Sequence, residues 1–148
     1  MIGMEILKPV VALAGWTMIM WLWMYATRIP AMTRAGIDAK TLTGGTGSTL
    51  DGVIPEKVQW KAHNYNHLHE APTVFYAVAL VLAIVGQGDG VNALLGWAYV
   101  VLRVLHSLVQ SISNRVIVRF GLFVLSSLAL IALTFHAAIA VFDWHLHG

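Results

Sequence analysis

Apolar residues fall along this chain in four long blocks, at about 9–27, 57–86, 91–112 and 116–142, and polar residues gather between them. Each block comes near the ~20 residues a helix needs to cross the hydrocarbon of a bilayer. None shows the two-residue alternation of a barrel strand. Unpaired backbone groups are intolerable in lipid, so each block is predicted to be a helix. In the second block the uninterrupted apolar part runs only from Ala71 to Val85, and ahead of it stands HNYNHLHEAP, residues 63–72.

The connections differ in kind. GQGDG (86–90) is a tight glycine-rich turn, which makes the second and third helices antiparallel neighbours, and SNR (113–115) is equally short. The first connection, 28–56, is long. Its Thr43–Thr49 part lacks both the Gly-Lys-Ser/Thr ending and the preceding strand of a phosphate loop, and is expected to be a flexible link. The N-terminal block carries Glu5 and Lys8 and is interrupted by Trp16, Trp21 and Trp23, so it is expected to be a retained helix, not a secretory signal.

Composition turns this pattern into a class. Only 11% of the 148 residues are charged, against roughly 25% in soluble domains, and mean hydropathy is +0.73. Such a chain cannot cover a soluble surface. An all-α, integral-membrane four-helix bundle forming one domain is expected, with the lipid bilayer as its surroundings. There is no cysteine, so no disulfide, thiolate nucleophile or Cys-ligated metal is available. The net charge of +2 is placed unevenly: Arg28, Arg34, Lys40, Lys57, Lys61, Arg115 and Arg119 on one side, Lys8 with Asp89 and Asp143 on the other. The positive-inside rule then puts the long loop in the cytoplasm and both termini outside. This is a topological pattern, not a nucleic-acid footprint. A bacterial inner membrane suits a chain with no targeting sequence.

Positions three, four and seven apart share a helix face. His63, Asn66, His67 and Glu70 obey that rule in the second span; Arg103, His106, Ser107, Gln110 and Asn114 obey it in the third. Lipid penalises such stripes, so each is expected to turn inward or toward a partner subunit. Counted from the intervening turn, Glu70 and Arg103 reach similar depth, and an ion pair between them is expected. It would serve either helix register or ligand binding. Arg119, at the start of the fourth helix, adds a guanidinium to the positive end of a macrodipole and makes a local site for a carboxylate, phosphate or thiolate. Arg115 is expected to be a snorkelling anchor.

His63, His67 and Glu70 have a spacing that can ligate a metal from one face, with His106 as a further ligand. Membrane metal enzymes that use H-x-x-x-H need several such boxes and this chain has one, so no metal is assigned. His136 is expected to be a hydrogen-bonded packing residue. Trp97, Tyr99 and Trp144, like the first-span tryptophans, are expected to mark interfaces.

Glu70-Ala71-Pro72 followed by Phe75-Tyr76, then Arg103-Val-Leu-His106-Ser107 with Asn114 and Arg119-Phe120, resemble the signatures of the MAPEG family, membrane-associated proteins in eicosanoid and glutathione metabolism. The likeness extends over nearly the whole chain. It implies a homotrimer with glutathione, as co-substrate, bound near the cytoplasmic face between subunits. The implied activity is glutathione transfer to a lipophilic electrophile, reduction of a lipid hydroperoxide, or isomerisation of an eicosanoid peroxide. By the same resemblance Arg119 holds the sulfur as thiolate and is the catalytic residue. Glu70, Arg103 and His106 bind the tripeptide or shape its pocket, and Arg28 contacts a glutathione carboxylate.

Departures accompany the likeness. His67 stands where the family has asparagine, His63 and Asn66 stand where well-studied members carry arginines, and Gln110 replaces a tyrosine. Loss of arginine removes bidentate carboxylate anchors. These four positions still rim the implied pocket and are carried as cofactor-binding candidates. The competing expectation is a non-enzymatic membrane scaffold or lipid-binding trimer that kept the fold without the thiol site.

Overall fold

The computed structural model describes residues 2–38 and 43–142. Expectations resting on Lys40, Asp143 and Trp144 lie outside the described residues. Among the described residues the chain is helical, without strands: α1 (Leu7–Arg34), a short 3-10 turn (Gly47–Leu50), α2 (Glu56–His67), α3 (Ala71–Ile84), α4 (Val91–Ile112) and α5 (Val116–Val141). Four segments are long and apolar enough to cross a membrane, namely α1, α2 with α3, α4, and α5.

The second span is broken at Leu68–Glu70, and the cause is Pro72. It has no N–H to give, and its ring would collide with the Leu68 carbonyl in a continuous helix. α2 therefore closes on short bonds, from the His69 and Glu70 N–H groups to the Asn66 and His67 carbonyls. α3 restarts with Pro72 in its first turn, where the missing donor costs nothing. The Thr73 hydroxyl caps the His69 carbonyl left free by the break, at 2.6 Å. α1 behaves oppositely: it runs through Pro30 to Arg34, so Arg28 lies within the helix and not at its end.

α1 packs on α2 and α4, and α5 lies along α4 and α3. Leu13 and Met20 of α1, Phe75 and Leu82 of α3, Val100 of α4 and Leu133 of α5 share one core. Val11, Leu22, Ile84, Leu94, Ile117 and Ile131 point outward. Lipid solvates such side chains as well as a core does, so helix association rests on close packing. That packing is tightest where the N-terminal segment crosses the 86–90 turn. Gly3 N–H reaches the Ala83 carbonyl at 2.8 Å and Ile6 N–H the Gly88 carbonyl at 3.0 Å. A Cβ on Gly88 would sit 2.1 Å from the Gly3 carbonyl oxygen, so only glycine fits. Nearby, His136 Nδ1 meets Asn92 Oδ1 at 2.6 Å, the hydrogen-bonded packing role expected of it.

Candidate functional site

α4 buries its polar stripe. Arg103 is 2% exposed, His106 5% and Gln110 1%, and Ser107 and Ser111 beside them are buried as well. Yet this face is poorly satisfied. Among the described residues Arg103 Nε, His106 Nδ1, Gln110 Oε1 and Ser111 Oγ have no hydrogen-bond partner, nor does Nδ2 of Asn64 on α2. The Arg103 guanidinium makes one long bond, from Nη2 to the His67 carbonyl at 3.5 Å. The His106 ring lies 6.3 Å from that of His67, and Arg103 and Arg119 both act on it electrostatically. An unpaired buried hydrogen-bonding group costs about 1–3 kcal/mol. A run of them along one face makes this stripe the candidate site.

The expected Glu70–Arg103 ion pair is not formed: among the described residues no carboxylate oxygen comes within 4.0 Å of Arg103. Glu70 instead reaches His67 Nδ1 at 3.2 Å, with its side chain 65% exposed. α2 ends before Glu70. Its backbone, at φ −94° and ψ −99°, leaves the helical path and carries the carboxylate off the stripe.

The α2 stripe faces outward in the single chain. His63 and Asn66 are exposed and His67 half-buried, while Gln59, Ala62 and Asn64 form the inner face. His63 turns to Asp51 at 3.7 Å, away from His67. Among the described residues no three His, Asp or Glu side chains gather as metal ligands.

Arg28 belongs to a different place. With Gln59, His63, Asn66, Thr46 and Ser48 it lines a cavity of about 430 Å³ at the rim. Gln59, 3% exposed, is the hub. Its Oε1 accepts from Arg28 Nη2 at 2.9 Å, and its Nε2 donates to the Gly47 carbonyl at 2.9 Å and to Asp51 Oδ1 at 2.8 Å. The stretch expected to be a flexible link is thereby tied, through Gly47 and Asp51, to α1 and α2.

Arg119 sits one turn into α5 and donates through Nη1 to Asn114 Oδ1. Asn114 makes the α4–α5 turn possible: at φ +50° it takes the left-handed conformation that asparagine tolerates, and its N–H closes α4 on the Val109 carbonyl. A separate apolar groove of about 470 Å³ runs between α1 and α4, past Gly15, Trp16, Val100 and Val104. At its edge the Trp16 indole N–H donates to Ser107 Oγ at 3.0 Å, so Trp16 is a packing and bonding residue as well as an aromatic one.

Arg103, His106 and Gln110 thus come together, with Arg119 near them. Arg28, His63 and Asn66 form a second group, and His67 with Glu70 stands between the two. Sequence reasoning missed Gln59, Asn64 and Ser111, and misplaced Tyr99, which is 0% exposed and marks no interface. Tyr99 was findable, since it precedes Arg103 by four and shares its face.

These features define a multi-pass helical membrane protein with a buried, unsatisfied polar seam. The MAPEG family model matches residues 6–139, and the chain belongs to the MAPEG family. Comparison with curated proteins and with solved structures yields no match.

Proposed function

We propose that the protein is a glutathione-dependent membrane transferase or peroxidase, acting on a lipophilic electrophile or hydroperoxide from the bilayer. The observation that carries this reading is Arg103: a guanidinium 2% exposed, with no carboxylate partner among the described residues and its Nε–H free. Such a cation asks for an anion. His106 and Gln110, one and two turns on, offer unpartnered atoms of both kinds to the rest of a zwitterionic tripeptide. Arg119, beside a helix N-terminus, would draw the thiol pKa down from about 8.5 and hold the sulfur as thiolate. The exposed α2 stripe and the Arg28 cavity are then the parts that a neighbouring subunit of a homotrimer would complete. The basic loops support a cytoplasmic orientation for this end of the bundle.

The test is calorimetric and kinetic. Detergent-purified protein should bind glutathione saturably and conjugate it to an aryl chloride. Arg119→Ala should lower that turnover by roughly 10²- to 10³-fold while the oligomer persists. Unchanged rates in the variant would refute the role of Arg119.

One set of contacts favours a second reading, a scaffold or lipid-binding trimer without the thiol site. Arg28, His63, His67 and Glu70 already have partners within the chain: Gln59, Asp51 and one another. Absence of any glutathione heat in the titration would select it.

A further inference from the structure

α1 is longer than a membrane requires. About 20 residues cross the hydrocarbon, and α1 has 28, from Leu7 to Arg34. Glu5 and Lys8, paired at 3.0 Å, keep its start at one surface. The excess therefore emerges at the other, where Arg28 and Arg34 stand. Along that last stretch the 43–55 segment folds back on the helix, and its Leu50 and Ile54 form a small core with Ala31. Beside this core lies a cavity of about 500 Å³. The assignments above do not use it.

The cavity is apolar along its length and cationic at one end. Pro30 and Ala31 of α1 form one wall, Val53 and Val58 the other, with Thr27 at the inner end and Arg34 at the outer. Thr27 and Arg34 are seven residues apart, so they share a face and lie about 10 Å apart along the axis. Arg34 is the one charged residue of the lining. Among the described residues no carboxylate oxygen comes within 4.0 Å of its guanidinium. α2 also opens onto the cavity, through Pro55, and no side chain caps its first turn. Such a helix end adds to the attraction for an anion. Val53 is 52% exposed and Pro30 is exposed as well. At headgroup depth these apolar surfaces meet water unless a hydrocarbon chain covers them.

We propose that this cavity binds an anionic phospholipid, with the phosphate on Arg34 and the upper part of one acyl chain running past Val53 toward Thr27. The order of the lining, cation outermost and apolar walls beneath, is the order of groups along a lipid in its leaflet. A zwitterionic lipid fits less well, because its choline brings a second cation to the place Arg34 already holds. The proposal rests on the membrane character of the chain alone and stands whether or not a thiol is bound elsewhere.

The chain has no cysteine, so Val53→Cys gives a single attachment point for a fluorophore. In phosphatidylcholine vesicles, a lipid with a nitroxide on its upper acyl chain quenches a fluorophore that it touches. Nitroxide phosphatidylglycerol should quench at about tenfold lower mole fraction than nitroxide phosphatidylcholine, the worth of one charge-assisted hydrogen bond. Adding Arg34→Gln should bring the two lipids level. Lys57 is exposed and lies outside the cavity, so adding Lys57→Gln should leave the difference in place. Glycerol 3-phosphate in solution should not relieve the quenching, since it has the phosphate without the chain. Equal quenching by the two lipids in the parent overturns the proposal, as does a preference that survives Arg34→Gln. A preference lost as fully with Lys57→Gln reflects surface charge alone, and no quenching by either lipid means that protein covers the cavity; both outcomes also overturn it. Relief by glycerol 3-phosphate would make this a site for soluble phosphates and overturn the lipid assignment.

Discussion

α2 and α4 carry polar stripes of the same helical period and similar composition, yet they end in opposite situations. The α2 stripe lies at the surface of the chain, and most of it is partnered: His67 with Glu70, His63 with Asp51. The α4 stripe is buried, and Arg103, His106 and Gln110 each have an atom without a bond among the described residues. Polarity at helical spacing is therefore not the signal of a site. Polarity that the fold buries without a partner is the stronger candidate signal, because each open group costs roughly 1–3 kcal/mol until a ligand, a water or a neighbouring subunit satisfies it.

The largest effect should come from removing the α4 cation. Arg103→Met takes away charge-assisted hydrogen bonds worth about 1.5–3 kcal/mol, so glutathione should bind roughly 10- to 100-fold more weakly by calorimetry. Without ligand the same variant should melt at the parent's temperature or above it, since replacing a buried charge by an apolar chain of similar length is often neutral or stabilising. A clear fall in melting temperature with binding intact would make Arg103 a register device and erase the contrast between the stripes.

A middle-sized effect separates backbone from chemistry at the α4–α5 turn. Asn114 serves twice, by accepting φ +50° and by receiving Arg119 Nη1. Asn114→Gly keeps the first service and loses the second. Its melting temperature should hold while turnover drops about fivefold, the worth of one hydrogen bond near 1 kcal/mol. Asn114→Ala loses both, and should add a destabilisation of about 1–2 kcal/mol from the left-handed backbone. Matching turnover for Gly and parent would show that the Arg119 guanidinium needs no positioning from this turn.

Much of this was legible in the order of residues because the bilayer imposes it. Length and hydropathy dictate four spans, and the family whose signatures the chain resembles is the one whose model matches residues 6–139. What residue counting could not give was azimuth. Depth along a helix follows position number, which is why Glu70 and Arg103 were expected to pair. Which way each points depends on where Pro72 breaks the helix, and that break turned Glu70 outward. The hub at Gln59 was unreadable for a related reason: its partners Arg28 and Gly47 are joined to it only through the folding back of a long loop. α1 runs past the expected end of the first span at about residue 27 and through Pro30, since a membrane helix can absorb a proline that would end a soluble one.

The smallest expected effect is the sharpest check on the contrast. Glu70→Gln removes a carboxylate whose partner in the chain is His67, in a pair with side chains 65% and 44% exposed. Exposed pairs are worth about 0–1 kcal/mol, so stability should barely move, and glutathione affinity should change less than about fivefold if the α4 seam holds the ligand by itself. The outcome to watch for is a loss as severe as that of Arg103→Met with the melting temperature unchanged. It would mean that the outward α2 stripe is also a ligand surface, closed by another subunit, and that Glu70 meets the tripeptide's ammonium there. Comparing Glu70→Gln and Arg103→Met in one calorimetric series, at equal oligomer content by light scattering, decides whether one helix or two define the pocket.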